Sequence, residues 1–200
     1  MIKAVGQVFI ALSGMGCVVY GWNIQPSYDE SETAVEWTRT VIASRGISTM
    51  TMRLGSPAFN DGGEIPPAYT CDGEDRAPPL VWSGVPDNAQ SLVLIVDDPD
   101  APDPAAPKRV WVHWVVYNLA PSATGLDGAL PGGAFEGLND WKQAGYRGPC
   151  PPIGRHRYFF KLYALDTRLP EIHGANKGKV EQAMAGHVLA QAQLVGRYQH

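Results

Sequence analysis

The sequence predicts a mainly β domain with a few short helices. Three observations carry that prediction. Glycine and proline are abundant, 22 and 17 of 200 residues, and they are scattered without a period. That distribution belongs to many turns, not to a collagen repeat or a linker. Short apolar runs alternate with clusters of Gly, Pro, Asn and Asp, the punctuation of successive strands. The strongest run, residues 91–96 (SLVLIV), is continuous and too short for a helix, so it reads as a buried central strand.

Taken in order, residues 1–50 read as an N-terminal extension and residues 51–200 as the main domain. Residues 4–22 carry no charge and are long enough to span a bilayer at roughly 20 residues. They are diluted by Gly6, Gly14, Gly16 and Gly21, and the single Lys3 makes a weak basic start for a signal peptide. Two readings stand. If the segment is an export or anchoring element, the protein is periplasmic or membrane-anchored. If translation starts near Met50 or Met52, it is cytoplasmic. Residues 31–45 read as a short helix, capped by Ser31 and ended by Gly46.

Within the main domain, residues 79–82 form a short strand. The 91–96 strand stops at Asp97-Asp98-Pro99-Asp100-Ala101-Pro102, because two prolines and three acids do not continue a central strand. Residues 110–119 (VWVHWVVYNL) are β-branched and aromatic and form the next strand. Residues 120–145 are mostly loop, and residues 157–164 (RYFFKLYA) are another strand. Residues 177–185 make one helix. In residues 187–198 the alternation of Val188, Ala190, Ala192 and Leu194 favours a strand.

Hydrophobic residues make up 44% of the chain and charged residues 18%, with a net charge of −4. No basic run exists to meet a phosphate backbone, so nucleic acid is not an expected partner. The three cysteines, Cys17, Cys71 and Cys150, lack any C-x-x-C pair, which excludes a zinc knuckle or a thioredoxin motif. Cys71 and Cys150 read equally as a disulfide or as two reduced thiols.

Polar groups gather at three strand ends: the acids Asp97, Asp98 and Asp100; His113 within an apolar strand; and the stiff loop from Gly148 to His156. Each has a bland alternative. Asp beside Pro makes turns, a lone strand histidine is usually a hydrogen-bonded core residue, and His156 can simply open a strand.

Together the motifs resemble the phosphatidylethanolamine-binding protein family. The matching segments are Asp98-Pro99-Asp100-Ala101-Pro102, Trp111-Val112-His113, and Gly148-Pro149 followed by His156-Arg157-Tyr158. Tyr69-Thr70-Cys71-Asp72-Gly73, Pro78-Pro79-Leu80-Val81-Trp82 and the closing Gly186-His187-Val188 are similar to its bacterial, Raf-kinase-inhibitor-like branch. The resemblance runs from Met52 to the end of the chain. It implies a large antiparallel sheet packed on a smaller one, and a shallow pocket that binds phosphate or a phosphorylated small ligand without a cofactor. Asp98, Asp100, His113, Gly148, His156 and Tyr158 match the family's pocket. It also implies cis bonds at Ala101–Pro102 and near Arg109–Val110, and protein targets such as kinases or proteases.

Two other functions use the same residues. Two histidines and an aspartate match a metal-binding triad. A hydrolase would use His113 or His156 as general base, with Cys150 the only candidate nucleophile, since no G-x-S-x-G, S-x-x-K or H-E-x-x-H motif occurs. The expectation is a binding protein in which the acids orient histidines, a histidine N–H meets the anion, and backbone N–H groups near Gly148 complete the nest. The aromatic and cationic residues Trp141, Tyr146 and Arg147 are the place to look for a protein contact, or are simply packed beneath the long loop.

Overall fold

The computed structural model describes residues 51–200; the expected helix at 31–45, the apolar segment 4–22 and Cys17 lie outside the described residues. In chain order the strands are β1 (Arg53–Gly55), β2 (Leu80–Ser83), β3 (Ser91–Asp98), β4 (Trp111–Leu119), β5 (Gly125–Leu126), β6 (Phe135–Glu136), β7 (His156–Leu165) and β8 (Val188–Tyr198). One α-helix, α1 (Lys177–Met184), precedes β8, and Pro67–Tyr69 makes a single 3-10 turn.

Two antiparallel sheets result, as expected. The larger has the order β6-β4-β3-β7-β8 and the smaller β1-β2-β5. The central position of β3 follows from its sequence. Leu92, Leu94 and Val96 face the small sheet and join a core with Leu80, Trp82, Phe160 and Leu162. The alternate residues Val93 and Ile95 face the other way and pack with Val180 and Met184 of α1. A strand covered on both faces needs apolar residues at every position, which is why SLVLIV has no polar alternation. Each of these buried side chains contributes about 1.5–3 kcal/mol relative to exposure. Asn176 caps α1 by accepting from the Lys179 N–H at 3.0 Å.

The strands at 79–82, 110–119, 157–164 and 187–198 and the helix at 177–185 appear within a residue or two of their expected bounds. Two details differ. The long loop at 120–145 contains the two-residue strands β5 and β6. β3 runs on through Asp97 and Asp98 instead of stopping before them. Asp97 is tolerated inside the sheet because Lys161 and Lys177 both donate to it, at 2.7 Å and 2.6 Å.

β4 carries two bulges. Its partners along β3 step from Val96↔Trp114 to Asp97↔Val112, so His113 is an extra residue opposite no partner. A second jump near Leu119 leaves Asn118 as the other, with φ at +62°. Of the two expected cis bonds, Ala101–Pro102 is present, and it is the only one among the described residues; Arg109–Val110 is not cis. Cys71 and Cys150 form a disulfide with Cα atoms 5.4 Å apart, tying the turn after Tyr69 to the loop that enters β7.

Candidate ligand-binding site

A cavity of about 460 Å³ opens where β3, β4 and β7 end together. Asp98, His113, His156 and Tyr158 all line it, with Trp111, Trp141 and the Cys150–Pro152 loop as walls and Lys108 and Arg109 at its edge.

At its base, His156 and Asp98 form a closed unit. His156 Nδ1 is 2.7 Å from Asp98 Oδ2, and Nε2 is 3.0 Å from the Ile153 carbonyl. The other Asp98 oxygen accepts the Asp100 N–H at 2.7 Å. Both residues are buried, at 0% and 3% exposure. Asp98 therefore does orient a histidine, as expected, but His156 has no nitrogen left for a ligand.

His113 is different. The bulge presents it edge-on to Tyr158, with ring centroids 5.2 Å apart. Its Nδ1 lies 2.6 Å from the Arg147 carbonyl, while the Arg147 N–H donates to the His113 carbonyl. Nδ1 thus carries the proton, and Nε2 is the free atom, an acceptor. Burial pushes the imidazole below its ordinary value of 6.5. The unfolded chain takes up that proton at higher pH than the fold does. Stability that is complete above pH 6.5 is therefore lost as pH falls below it. Urea unfolding at pH 7.5 and 5.5 should give a smaller loss on acidification for His113→Gln than for the parent; equal losses would show that His113 does not carry this dependence.

Two more polar groups stand around the cavity. Burial raises the Tyr158 phenol above its ordinary range, so it remains an O–H donor, and its hydroxyl has no protein partner among the described residues. The Trp111 indole Nε1 is unpartnered, but it is enclosed by protein and does not open to the cavity. Arg109 stacks 3.9 Å from the Trp111 ring centroid, holding a guanidinium over the same wall. Trp141 packs edge-on against both Trp111 and His113, at 5.1 Å and 5.2 Å.

A family model described as phosphatidylethanolamine-binding protein matches residues 55–199. The chain belongs to that family. A UPF0098 protein of Methanothermobacter thermautotrophicus is 56% identical over 153 residues, covering 74% of this chain and 98% of the relative. A Chlamydia trachomatis structure described as a phosphatidylethanolamine-binding protein homologue superposes with a TM-score of 0.71 at 44% identity, over 76% of this chain and 99% of that one. Escherichia coli YbcL, described as a new member of the mammalian family, gives 0.68 at 31% identity, over 74% and 98%.

Two residues matched to the phosphatidylethanolamine-binding pocket sit elsewhere. The Asp100 carboxylate turns away from the cavity to Arg157, accepting from Nε at 2.9 Å, Nη2 at 2.7 Å and the backbone N–H at 2.9 Å. These bonds hold its pKa below the ordinary 3.8. Asp100 thus orients an arginine, not a histidine. Gly148 is buried behind the wall, and its N–H goes to Asp75 Oδ1 at 2.6 Å, so it is not free for an anion nest. It must be glycine because a Cβ would lie 2.4 Å from the Tyr69 carbonyl oxygen. Cys150 is bound in the disulfide. Asp98, His113 and His156 do not bring three ligand atoms together; among the described residues the only such group is Cys71, Cys150 and His200, whose sulfurs are bonded to each other.

Trp111 and the cations were not anticipated. Trp111 stands two residues before His113, the strand spacing that shares a face, and Lys108-Arg109 lie just upstream of it, separated by Val110. Of the three rim candidates, Trp141 joins the cavity, whereas Tyr146 packs on the core and donates its hydroxyl to the Tyr69 carbonyl at 2.8 Å.

Proposed function

We propose that this member of the phosphatidylethanolamine-binding protein family binds a small phosphate-bearing ligand in the cavity and does not transform it. One observation carries the reading. The cavity leaves one donor, Tyr158 O–H, and one acceptor, His113 Nε2, without protein partners, beside the cations Lys108 and Arg109. Donors and cations suit an oxyanion. A neutral acceptor beside them suits an oxyanion that still holds one proton. Phosphate monoesters do so near neutral pH, since their second pKa is about 6.

Binding without chemistry is supported by the fate of the reactive groups. Cys150, the only candidate nucleophile, is held in a disulfide, and both ring nitrogens of His156 are engaged by the protein, which leaves His113 Nε2 as a base without that nucleophile. Modulation of a kinase or protease is the wider role that the family resemblance implies. Arg147 over the Trp141 ring, 5.6 Å from its centroid, is the aromatic and guanidinium anchor that such a partner would use.

The proton in this reading rides on the ligand and not on a histidine. Affinity for glycerol 3-phosphate should therefore rise as pH falls from about 8 toward 6, by close to tenfold per unit in the upper part of that range. A sulfate monoester, with no proton to give, should bind weakly and without that dependence. Calorimetric titration tests this, with Tyr158→Phe expected to weaken glycerol 3-phosphate by about tenfold. Unchanged affinity in this variant would remove the proposal.

A further inference from the structure

We propose a second anion site, separate from the cavity, in the hollow of about 360 Å³ lined by Arg155, Arg157 and Arg197 with Asp100 and Pro104. It would take a compact oxyanion of the phosphate type.

Strand register brings two of these arginines together. Arg157 is the second residue of β7, Arg197 is the next to last of β8, and the two are direct cross-strand partners. Like charges directly opposite each other destabilise a sheet. Neighbouring acids offset this only in part. Asp100 takes Nε and Nη2 of Arg157. Glu64 bridges to the backbone of Arg197, yet its carboxylate pairs with Arg155 at 3.1 Å. Three guanidiniums thus share two carboxylates, which leaves one positive charge in excess. Arg197 is exposed, and its side chain has no acceptor among the described residues.

The arrangement is also oriented in advance. Asp100 fixes the Arg157 fork, and the Phe159 ring lies 5.6 Å from its guanidinium carbon. Nη1 of Arg157 and the whole Arg197 fork remain as donors on one concave surface. Planar forks held this way match the paired oxygens of a phosphate group. A bound oxyanion would relieve the repulsion among these guanidiniums. The segment from Asp98 to Pro104 contributes to both: Asp98, Ala101 and Pro102 line the cavity, and Asp100 and Pro104 line the hollow.

The test is an NMR titration of the full chain with pyrophosphate at low ionic strength, where screening is weakest. The arginine Nε–Hε signals report the hollow, and the Trp111 indole signal reports the cavity. Saturating shifts of Arg157 and Arg197 are expected, with the dissociation constant raised about tenfold in Arg197→Ala and less in Arg197→Lys. Thermal melting should find Arg197→Ala no less stable than the parent, because it removes a like-charge neighbour. Arginine signals that do not saturate, or a midpoint unchanged in Arg197→Ala, would overturn the site. So would a lowered melting temperature, which would make Arg197 a structural residue. Failure of the cavity reading would appear separately, at Trp111.

Discussion

Replacing Asp98 with alanine should destabilise the protein by about 2–5 kcal/mol, because it leaves two buried hydrogen-bond donors without their acceptor. The geometry makes the loss large. Asp98 holds His156 at 2.7 Å with one oxygen and the Asp100 N–H at 2.7 Å with the other. Alanine removes both acceptors at a position where water has little access. Asp98→Asn keeps the shape and an acceptor and should cost less. A double-mutant cycle with His156→Ala separates the pair from its surroundings: once His156 is gone, Asp98→Ala should cost clearly less than it does alone. Additive losses in urea unfolding would mean that the two side chains are not coupled.

Removing the Cys71–Cys150 disulfide should cost about 2–5 kcal/mol, since the bond closes a loop with a sequence separation of 79 and restricts the unfolded chain. The same two segments are also joined by hydrogen bonds: Cys71 N–H to the Pro149 carbonyl, Gly148 N–H to Asp75, and the Tyr146 hydroxyl to the Tyr69 carbonyl. Those remain when the sulfurs part. The Cys71→Ser/Cys150→Ser variant should therefore unfold at lower urea while binding glycerol 3-phosphate with the parent's affinity. Unchanged stability would show that the closed loop contributes nothing; lost affinity at full folding would show that the bond shapes the wall.

The long strands were legible because their burial leaves a period or a continuous run in the chain. Residues 91–96 are apolar at every position because two layers cover them, and residues 188–194 alternate because one face stays exposed. β5 and β6 are two residues each, too short to carry any period. The passage of β3 through Asp97 and Asp98 was illegible for another reason. The two lysines that neutralise Asp97 come 64 and 80 residues later. In the cavity, the ordered motifs located Asp98, His113, His156 and Tyr158. What they left hidden was which atoms were already engaged. Asp100 and Gly148 carry the right residue types, but Arg157 and Asp75 hold their polar atoms. Two cysteines among three likewise left pairing undecided, since proximity depends on how distant segments meet.

The bulge at His113 gives the cavity its side of the sheet. From Trp114 to Tyr117, odd-numbered residues Val115 and Tyr117 face the helix and even-numbered ones face the small sheet. Carried back without interruption, that parity would aim Trp111 at the helix. The extra residue reverses it: Val112 lies on the helix side, and Trp111 turns toward Tyr158. The site is thus a frameshift written in side chains, and it depends on a count of residues as much as on their identity. A chain with the same composition but one residue fewer between Trp111 and Trp114 would keep its sheet and point its indole at the wrong layer.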